Sequence, residues 1–441
     1  MQKLLNSRTN RGGFSTSGTK LALALIASAL TFGAVSQADM VTDWNATLSA
    51  AINATPTDLP PVAGRKAAII QVAVFDAVNG IARKYEPYFV TDRAPAGARQ
   101  EAAAAQAAYS TLVALFPAQQ AVFDTQLAIS LVAMAGSGGS SRSIERGLAW
   151  GKLVANAILA WRSIDGFSTA YPPYFGGTAT GQWRSVPDGL RAAILPGFRY
   201  MTPFALGSAS QFRPGPPPAL TSAQYATDLN ETKALGRKTG STRTQRQTDL
   251  ALLWAATAVA GENTIARSVL PQDARLVDNA RLLALVNMAA CDAFIIGFDC
   301  KYTYNFWRPY HAIRFADSDG NPDTTADADW DSLVQPVPNH QEYISFHGVV
   351  TSAFMRVLRH LLGDEHSFTL TAPALPGVSR AYSSFSEAAD EVTEARIWGG
   401  LHFRNSCNVG HLAGNALADY LVDNFLQPLD DLDDVLENRD E

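Results

Sequence analysis

Cysteine is the residue that this sequence has least of: three in 441 residues, at Cys291, Cys300 and Cys407. Three cysteines allow one disulfide and leave one thiol over. Cys291 and Cys300 lie nine residues apart in a predicted helix, a rise of about 13 Å, which is too far for a disulfide. No Cys-x-x-Cys pair or Cys/His spacing typical of zinc is present. We therefore expect structural thiols.

A surplus of basic residues is also lacking. The chain has 35 Lys and Arg against 41 Asp and Glu, which gives a formal net charge of −6. Nucleic-acid-binding proteins carry clustered positive charge, so we expect no nucleic-acid partner. Any anion that this protein binds is expected to be small and held locally.

Long apolar runs are confined to the start of the chain. Residues 1–20 carry four basic side chains, residues 21–35 are apolar, and Ser36-Gln37-Ala38 supplies small residues. This order is typical of a secretory signal peptide cut after Ala38, so we predict an exported protein, periplasmic or secreted. The alternative is an uncleaved membrane anchor, for which the run is short. After cleavage we expect no stable membrane span.

The remaining sequence is dominated by helical patterns. Apolar residues recur at helical spacing in eight segments: 63–82, 101–116, 143–164, 244–260, 275–314, 348–363, 383–400 and 408–426. Strand-like alternation is scarce. We predict an all-α protein with a signal peptide at 1–38, one large helical-bundle domain at 39–427 and an acidic tail at 428–441. The Gly-, Pro- and aromatic-rich stretch at 165–220 is predicted to be a long ordered loop packed on the helices.

The stretch KYTYNFWRP, 301–309, places two cations seven residues apart among aromatic residues. In a continuous helix, Lys301 and Arg308 would point to nearly the same side, and Pro309 would end or kink the helix. A buried cation without a partner is costly. The partner is either a carboxylate from elsewhere in the chain or a bound anion. A third alternative is that both side chains extend along the surface.

Two later segments, within the quarter of the chain that holds all seven histidines, offer complementary groups. Ser345 and His347 precede an apolar helix, whose first N–H groups can hold an anion, although a plain N-cap also explains Ser345. Arg396 and His402 would lie on different faces of a continuous helix. The intervening Gly399-Gly400 predicts a helix break that lets them converge; the alternative is a simple glycine cap with an exposed arginine.

The order of these three segments resembles the signature of the superfamily that joins type 2 phosphatidic acid phosphatases, bacterial acid phosphatases and vanadium-dependent haloperoxidases. That signature is K-x6-RP, then PSGH, then SR-x5-H. The first element is complete at 301–309, the second stands as ISFH at 344–347, and the third stands as AR-x5-H at 395–402. Flanking sequences such as FWRPYHAIRFADSDGNPDT, PNHQEY and FRPGPPPAL are similar to the exported bacterial haloperoxidase-like branch.

The resemblance implies the helical fold of these enzymes, with the motifs in the half at about 275–427, and a role for each matching residue. His402 would bond to vanadium or attack phosphorus, and His347 would be the acid/base. The groups that would hold the oxygens of vanadate, or of phosphate in the same site, form what we call the oxyanion cage: Lys301, Arg308, Ser345, the backbone N–H of Phe346, and Arg396.

The activity implied is oxidation of halide by hydrogen peroxide at vanadate bound to His402. One alternative is an acid phosphatase that acts on a phosphoester with the same histidine. Another is a catalytically silent oxyanion-binding homologue. Three departures bear on activity, because Ile344, Phe346 and Ala395 stand where the signature has Pro, Gly and Ser. A homodimer is compatible with the sequence.

Overall fold

Helices account for almost all regular structure in the computed structural model, which describes residues 39–138, 140–186 and 190–429. The helices of these ranges are α1 (Met40–Asn53), α2 (Pro60–Ala82), α3 (Gln100–Leu115), α4 (Gln120–Gly136), α5 (Ser141–Arg162), α6 (Ala223–Leu235), α7 (Gln245–Ala256), α8 (Val259–Ser268), α9 (Leu276–Tyr304), α10 (Pro309–Arg314), α11 (Phe346–Leu362), α12 (Phe385–Trp398) and α13 (Arg404–Asn424). One antiparallel hairpin joins β1 (Phe368–Thr371) to β2 (Ser379–Tyr382). The all-α class is confirmed; the predicted signal peptide, and the predicted tail from residue 430 onward, lie outside the described residues.

Helix α9 forms the centre of the core, where it packs against α2 and α11. It is long and apolar enough to cross a membrane by composition, but its most apolar window is wholly buried inside the protein. Cys291 and Cys300 both lie in this helix as buried free thiols, and Cys407 in α13 is a third. The thiols therefore pack as small apolar side chains, as expected.

The segment 275–314, which has helical spacing in the sequence, forms the long α9 and the six-residue α10. Asn305 adopts a left-handed conformation (φ 49°) at the end of α9, and its N–H donates to the Lys301 carbonyl. Asparagine tolerates this region better than most residues. Arg308 then becomes the N-cap of the six-residue α10. The prediction that Lys301 and Arg308 share one helix face is therefore wrong, because the helix ends between them.

Four helices, α1, α4, α6 and all but the first two residues of α8, have no counterpart among the predicted segments. Helix α4 shows one reason, since Val122, Ile129 and Val132 on its outer side are exposed while Phe123 and Met134 are buried. Apolar residues all around a helix leave no clear stripe for a periodicity argument.

Helices α11 and α13 cross unusually closely, and this crossing sets the geometry of the loops that precede both. A methyl group at Gly414 would lie 2.4 Å from the Val349 carbonyl oxygen. A methyl group at Gly410 would lie 3.2 Å from the Ser345 carbonyl oxygen. Only glycine permits this approach. The close crossing brings the segment before α11 beside the segment before α13, which carries His402.

Buried carboxylates hold the Pro- and Gly-rich stretch at 165–220 against the helices. The Asp292 carboxylate of α9 accepts hydrogen bonds from the backbone N–H groups of Phe204 (2.7 Å), Ala205 (2.7 Å) and Leu206 (3.0 Å). At the start of the stretch, Asp165 pairs with Arg65 of α2 at 2.8 Å. These buried contacts confirm, for its described residues, that the stretch is an ordered loop packed on the helices.

Candidate functional site

Lys301 lies in the last turn of α9 and is fully buried against the segment that leads into α11. Its ammonium donates hydrogen bonds to the carbonyl oxygens of Gln341 (3.0 Å), Glu342 (2.9 Å) and Ile344 (2.5 Å). A lysine has three N–H donors, so the backbone takes all of them. Burial lowers the pKa of Lys301 well below its usual range, and the charge of Arg308 lowers it further. Lys301 therefore fixes this segment and contributes positive charge to the site.

Arg308 joins the start of α10 to both loops. Its Nε donates to the His340 carbonyl oxygen (2.9 Å) and its Nη1 donates to the Leu401 carbonyl oxygen (2.9 Å). Nη1 also lies 3.2 Å from Nε2 of His402, and Nη2 lies 2.9 Å from Nδ1 of His340. Burial lowers the pKa of Arg308 to about 9, so the guanidinium stays charged at neutral pH.

His402 lies between a carboxylate and this guanidinium. Its Nδ1 is 2.8 Å from Oε1 of Glu342, and its Nε2 faces Arg308. Because a guanidinium only donates, Nε2 must carry the lone pair, and the proton of the neutral ring lies on Nδ1, which faces Glu342. Burial, followed by the charges of Arg308 and Lys301, lowers the pKa of His402 well below its ordinary value. A neutral imidazole thus presents a nucleophilic nitrogen beside the cations.

Glu342 carries the carboxylate that feels the charges of both Lys301 and Arg308. Burial raises the pKa of Glu342 to about 7, while the charges of Lys301 and Arg308 act to lower it. With all groups ionised, Lys301, Arg308 and Arg396 outnumber this one carboxylate and leave a surplus of two positive charges. The hydrogen-bond partners of the two cations in KYTYNFWRP are therefore mainly backbone carbonyl oxygens, and the charge of the nearby Glu342 carboxylate does not balance the whole cluster.

Arg396 lies at the end of α12, which stops at Trp398 before a left-handed Gly400 (φ 73°). The predicted helix break is confirmed. Its guanidinium is buried, and its Nε and Nη1 have no hydrogen-bond acceptor among the described residues. Burial lowers the pKa of Arg396 to about 10, and its charge in turn lowers the pKa of Arg308 and His402. A buried cation with free donors fits a bound anion.

The start of α11 carries the second predicted motif. The Ser345 hydroxyl oxygen accepts a hydrogen bond from the Gly348 N–H (3.2 Å), so Ser345 is an N-cap whose O–H can still donate. Nε2 of His347 lies 3.3 Å from the Thr257 carbonyl oxygen and donates to it, which leaves Nδ1 as an acceptor. Burial, with the charge of Arg396, lowers the pKa of His347 to about 3. His347 is therefore neutral at pH 7.

Phe346 occupies the glycine position of the signature without backbone strain, as the first residue of α11. Its ring packs against Phe298 (centroids 4.8 Å apart) and lies 4.4 Å from the Lys301 ammonium. Gly297 of α9 supplies the space, since a methyl group there would lie 2.5 Å from the ring. The ring also lies 4.9 Å from that of His340. A glycine on the neighbouring helix therefore compensates for the bulky residue in the motif.

The structure brings the three predicted segments together, with unequal contacts. Lys301, Arg308 and His402 are linked through direct hydrogen bonds and the Glu342 backbone, whereas Arg396 is linked to them through its charge. His347 is turned toward α7. Sequence reasoning missed Glu342 and His340 as site residues. Their signal was present in PNHQEY, where a histidine and a carboxylate stand just before the serine of the motif.

The donor set suits an oxyanion better than a bare cation. Within the ranges that the structure describes, no group of three or more His, Cys, Asp or Glu side chains could hold a metal ion. One neutral histidine beside three cations instead matches a negatively charged oxyanion whose central atom accepts a nitrogen. Vanadate and phosphate both meet this description.

Comparisons with known proteins agree with this geometry. Residues 281–431 match the family model of the VCPO second helical-bundle domain, and this range contains all the predicted site residues. The fold is similar to the crystal structure of a bacterial vanadium-dependent iodoperoxidase, with a TM-score of 0.74 and 26% identity over 89% of this chain and 97% of that one. The family model over residues 281–431 and the likeness to the iodoperoxidase structure together support a relationship to the vanadium haloperoxidase superfamily.

Two further vanadium haloperoxidase structures share the fold. The apo and holo forms of a bacterial vanadium-dependent chloroperoxidase each superpose with a TM-score of 0.65 at 17% identity. They cover 82% and 84% of this chain and 92% and 93% of their own. A search of curated proteins gives no match. Compared with the signature, this chain departs at Ile344, Phe346 and Ala395 within an otherwise assembled site.

Proposed function

We propose that this protein is an exported vanadate-dependent haloperoxidase that oxidises halide with hydrogen peroxide. The observation that best supports the proposal is the pairing of two features in one buried cluster. His402 presents the Nε2 lone pair beside Arg308, and Arg396 keeps two unpartnered N–H nitrogens. The likeness of the whole chain to a vanadium-dependent iodoperoxidase favours vanadate over phosphate as the resident anion.

Vanadate fits the residues that are present. His402 would bond to it through Nε2, and Arg396 would donate to its oxygens from Nε and Nη1. The Ser345 O–H and the Phe346 N–H at the start of α11 would add two neutral donors. Bound vanadate supplies a Lewis-acidic centre that activates hydrogen peroxide toward a halide ion.

The protein's own residues perform three tasks in this proposal. Arg308 donates a hydrogen bond to Nε2 of His402 in this structure. When the anion binds to Nε2, Arg308 would donate to an anion oxygen instead. Lys301 and the two arginines, all of them buried, would stabilise negative charge in a site from which water is excluded, where such interactions are strongest. His347, neutral at pH 7, would accept a proton at Nδ1 from peroxide or water and return it to the product.

A phosphatase would use the same groups, with Nε2 of His402 as the nucleophile toward phosphorus. A catalytically silent anion-binding homologue is supported by one specific observation: the backbone takes all three Lys301 donors, and Arg308 already bonds two carbonyls and two imidazoles. In that case the anion would be held chiefly by Arg396 and the start of α11, without turnover.

One purified sample tested twice separates these functions. After incubation with orthovanadate, we expect peroxide-dependent oxidation of chloride, bromide or iodide, and we expect His402→Ala to abolish it. His360→Ala, on the far end of α11, is the matched control that keeps activity. Without vanadate, the same sample is assayed for hydrolysis of a phosphomonoester. Hydrolysis without halide oxidation would replace the proposal with the phosphatase, and anion binding without either reaction would replace it with the silent homologue.

A further inference from the structure

We propose that Glu342 is a positioning residue for His402: its carboxylate fixes the imidazole so that the Nε2 lone pair faces the oxyanion cage. The inference rests on the proposed function for the identity of the anion, but not for the geometry of the pair. No motif in the signature includes this residue, and it lies three positions before Ser345.

One oxygen of Glu342 orients both the ring and the peptide that follows it. Oε1 accepts the Nδ1–H of His402 at 2.8 Å and the backbone N–H of Phe403 at 3.1 Å. The side chain of Glu342 is fully buried and that of His402 is 3% exposed, so no water competes for these contacts. Two donors from adjacent residues on one acceptor fix the direction of the imidazole as well as its protonated nitrogen.

Glu342 is itself held rigidly from its backbone. Its N–H donates to the Phe306 carbonyl oxygen at 3.0 Å, and its carbonyl oxygen accepts from the Lys301 ammonium at 2.9 Å. The backbone of the positioning residue is thereby tied to Lys301 at the start of the first motif and to Phe306 inside it. Such support is what keeps a reactive group within a few tenths of an ångström of its working position.

Loss of the carboxylate would leave the buried Nδ1–H of His402 without its acceptor. The ring would then move its proton to Nε2, or turn to find another acceptor, because a buried unsatisfied donor is costly. A proton on Nε2 would face the donating Nη1 of Arg308 and block the lone pair that an anion needs. The expected consequence is weaker binding of vanadate at His402, together with a changed imidazole signal.

Glu342→Met tests this, because methionine keeps the volume and removes the acceptor. The matched control is Glu262→Met, at an equally buried glutamate that accepts from Thr351 (2.8 Å) and contacts no residue of the cage. Glu342→Gln restores a carbonyl acceptor, and Glu342→Asp keeps the charge but withdraws it from Nδ1.

The first readout is the pair of ¹⁵N shifts of the His402 ring in anion-free protein, assigned by comparison with His402→Ala. We expect one protonated Nδ1 and one unprotonated Nε2 in the wild type, Glu342→Gln and Glu262→Met. In Glu342→Met we expect this pattern to be lost, and Glu342→Asp gives the same test if the Met variant does not fold. A pattern that both variants leave unchanged would overturn the proposal.

The second readout is the dissociation constant of orthovanadate, measured by calorimetry. We expect it to rise 10- to 100-fold in Glu342→Met, the range typical of residues that orient a ligand, and less than threefold in Glu342→Gln and Glu262→Met. An unchanged constant in Glu342→Met overturns the positioning role while the proposed function stands. Failure of the wild type to bind vanadate overturns the proposed function, while the ring shifts still decide the role of Glu342.

Discussion

Gly297 and Phe346 should be coupled in stability, because the Phe346 ring occupies the space that a side chain at position 297 would need. In Gly297→Ala, the new methyl group would lie 2.5 Å from the Phe346 ring, about 1 Å inside ordinary contact. The ring has little room to retreat, because Phe294, Phe298 and the Lys301 ammonium surround it. Crowding of this kind costs about 2 kcal/mol, whereas alanine gains about 1 kcal/mol in a helix. We expect a net loss of about 1 kcal/mol.

In the Phe346→Ala background the sign should reverse. Phe346→Ala alone should cost about 3–5 kcal/mol, as for other buried phenylalanines. The methyl group of Gly297→Ala then meets open space and should stabilise the protein by up to about 1 kcal/mol. Equilibrium urea unfolding of the four proteins gives the coupling energy, expected at about 2 kcal/mol. An equal effect of Gly297→Ala in both backgrounds would refute the claim that Gly297 accommodates Phe346.

Three further predictions concern charge. Arg396→Met should weaken orthovanadate binding at least 100-fold. It should leave the melting temperature of the anion-free protein equal or higher, because it removes a buried charge whose Nε and Nη1 have no hydrogen-bond partner among the described residues. A drop in that melting temperature would argue against an anion-binding role. Saturating vanadate, at 100 times its dissociation constant, should stabilise the wild type by about 2.7 kcal/mol and His402→Ala by much less, as thermal unfolding can show. Burial raises the pKa of Glu262 to about 7, so the folded state binds this proton more tightly, and the unfolding free energy of the wild type falls as pH rises from about 4.5 to about 7. The unfolding free energy of Glu262→Gln should therefore gain up to about 3 kcal/mol relative to that of the wild type between pH 5 and pH 8. A difference that does not change with pH would contradict the assignment.

Local features were predictable from the sequence, and features that depend on tertiary contacts were not. The break at Gly399-Gly400 follows from two adjacent glycines, which disfavour continuation of a helix, and the structure has it. The shared face of Lys301 and Arg308 assumed a helix that Asn305 ends with a left-handed turn. Both cations still reach the same cluster, because the loops before α11 and α13 approach them from the other side. Spacing alone therefore selected two residues that lie in one cluster, although the local geometry assumed for them was incorrect.

The hydrogen-bond partners of His402 and His347 also could not be predicted from the sequence. Nothing near His402 in the sequence indicates that Glu342, sixty positions away, accepts its proton, and nothing near His347 indicates the Thr257 carbonyl. The bulky Phe346 could be recognised as a departure from the signature. Its compensation by Gly297 could not, because that glycine lies on another helix.

The central claim is that one oxyanion site is formed by His402 and the oxyanion cage. A crystal structure of the protein soaked with orthovanadate tests it most directly. We predict vanadium within bonding distance of Nε2 of His402, with oxygens hydrogen-bonded to Arg396 and to Arg308, whose contact with Nε2 has been replaced. Vanadate bound elsewhere, or a His402 Nε2 that still pairs with Arg308 at saturating vanadate, would contradict the account.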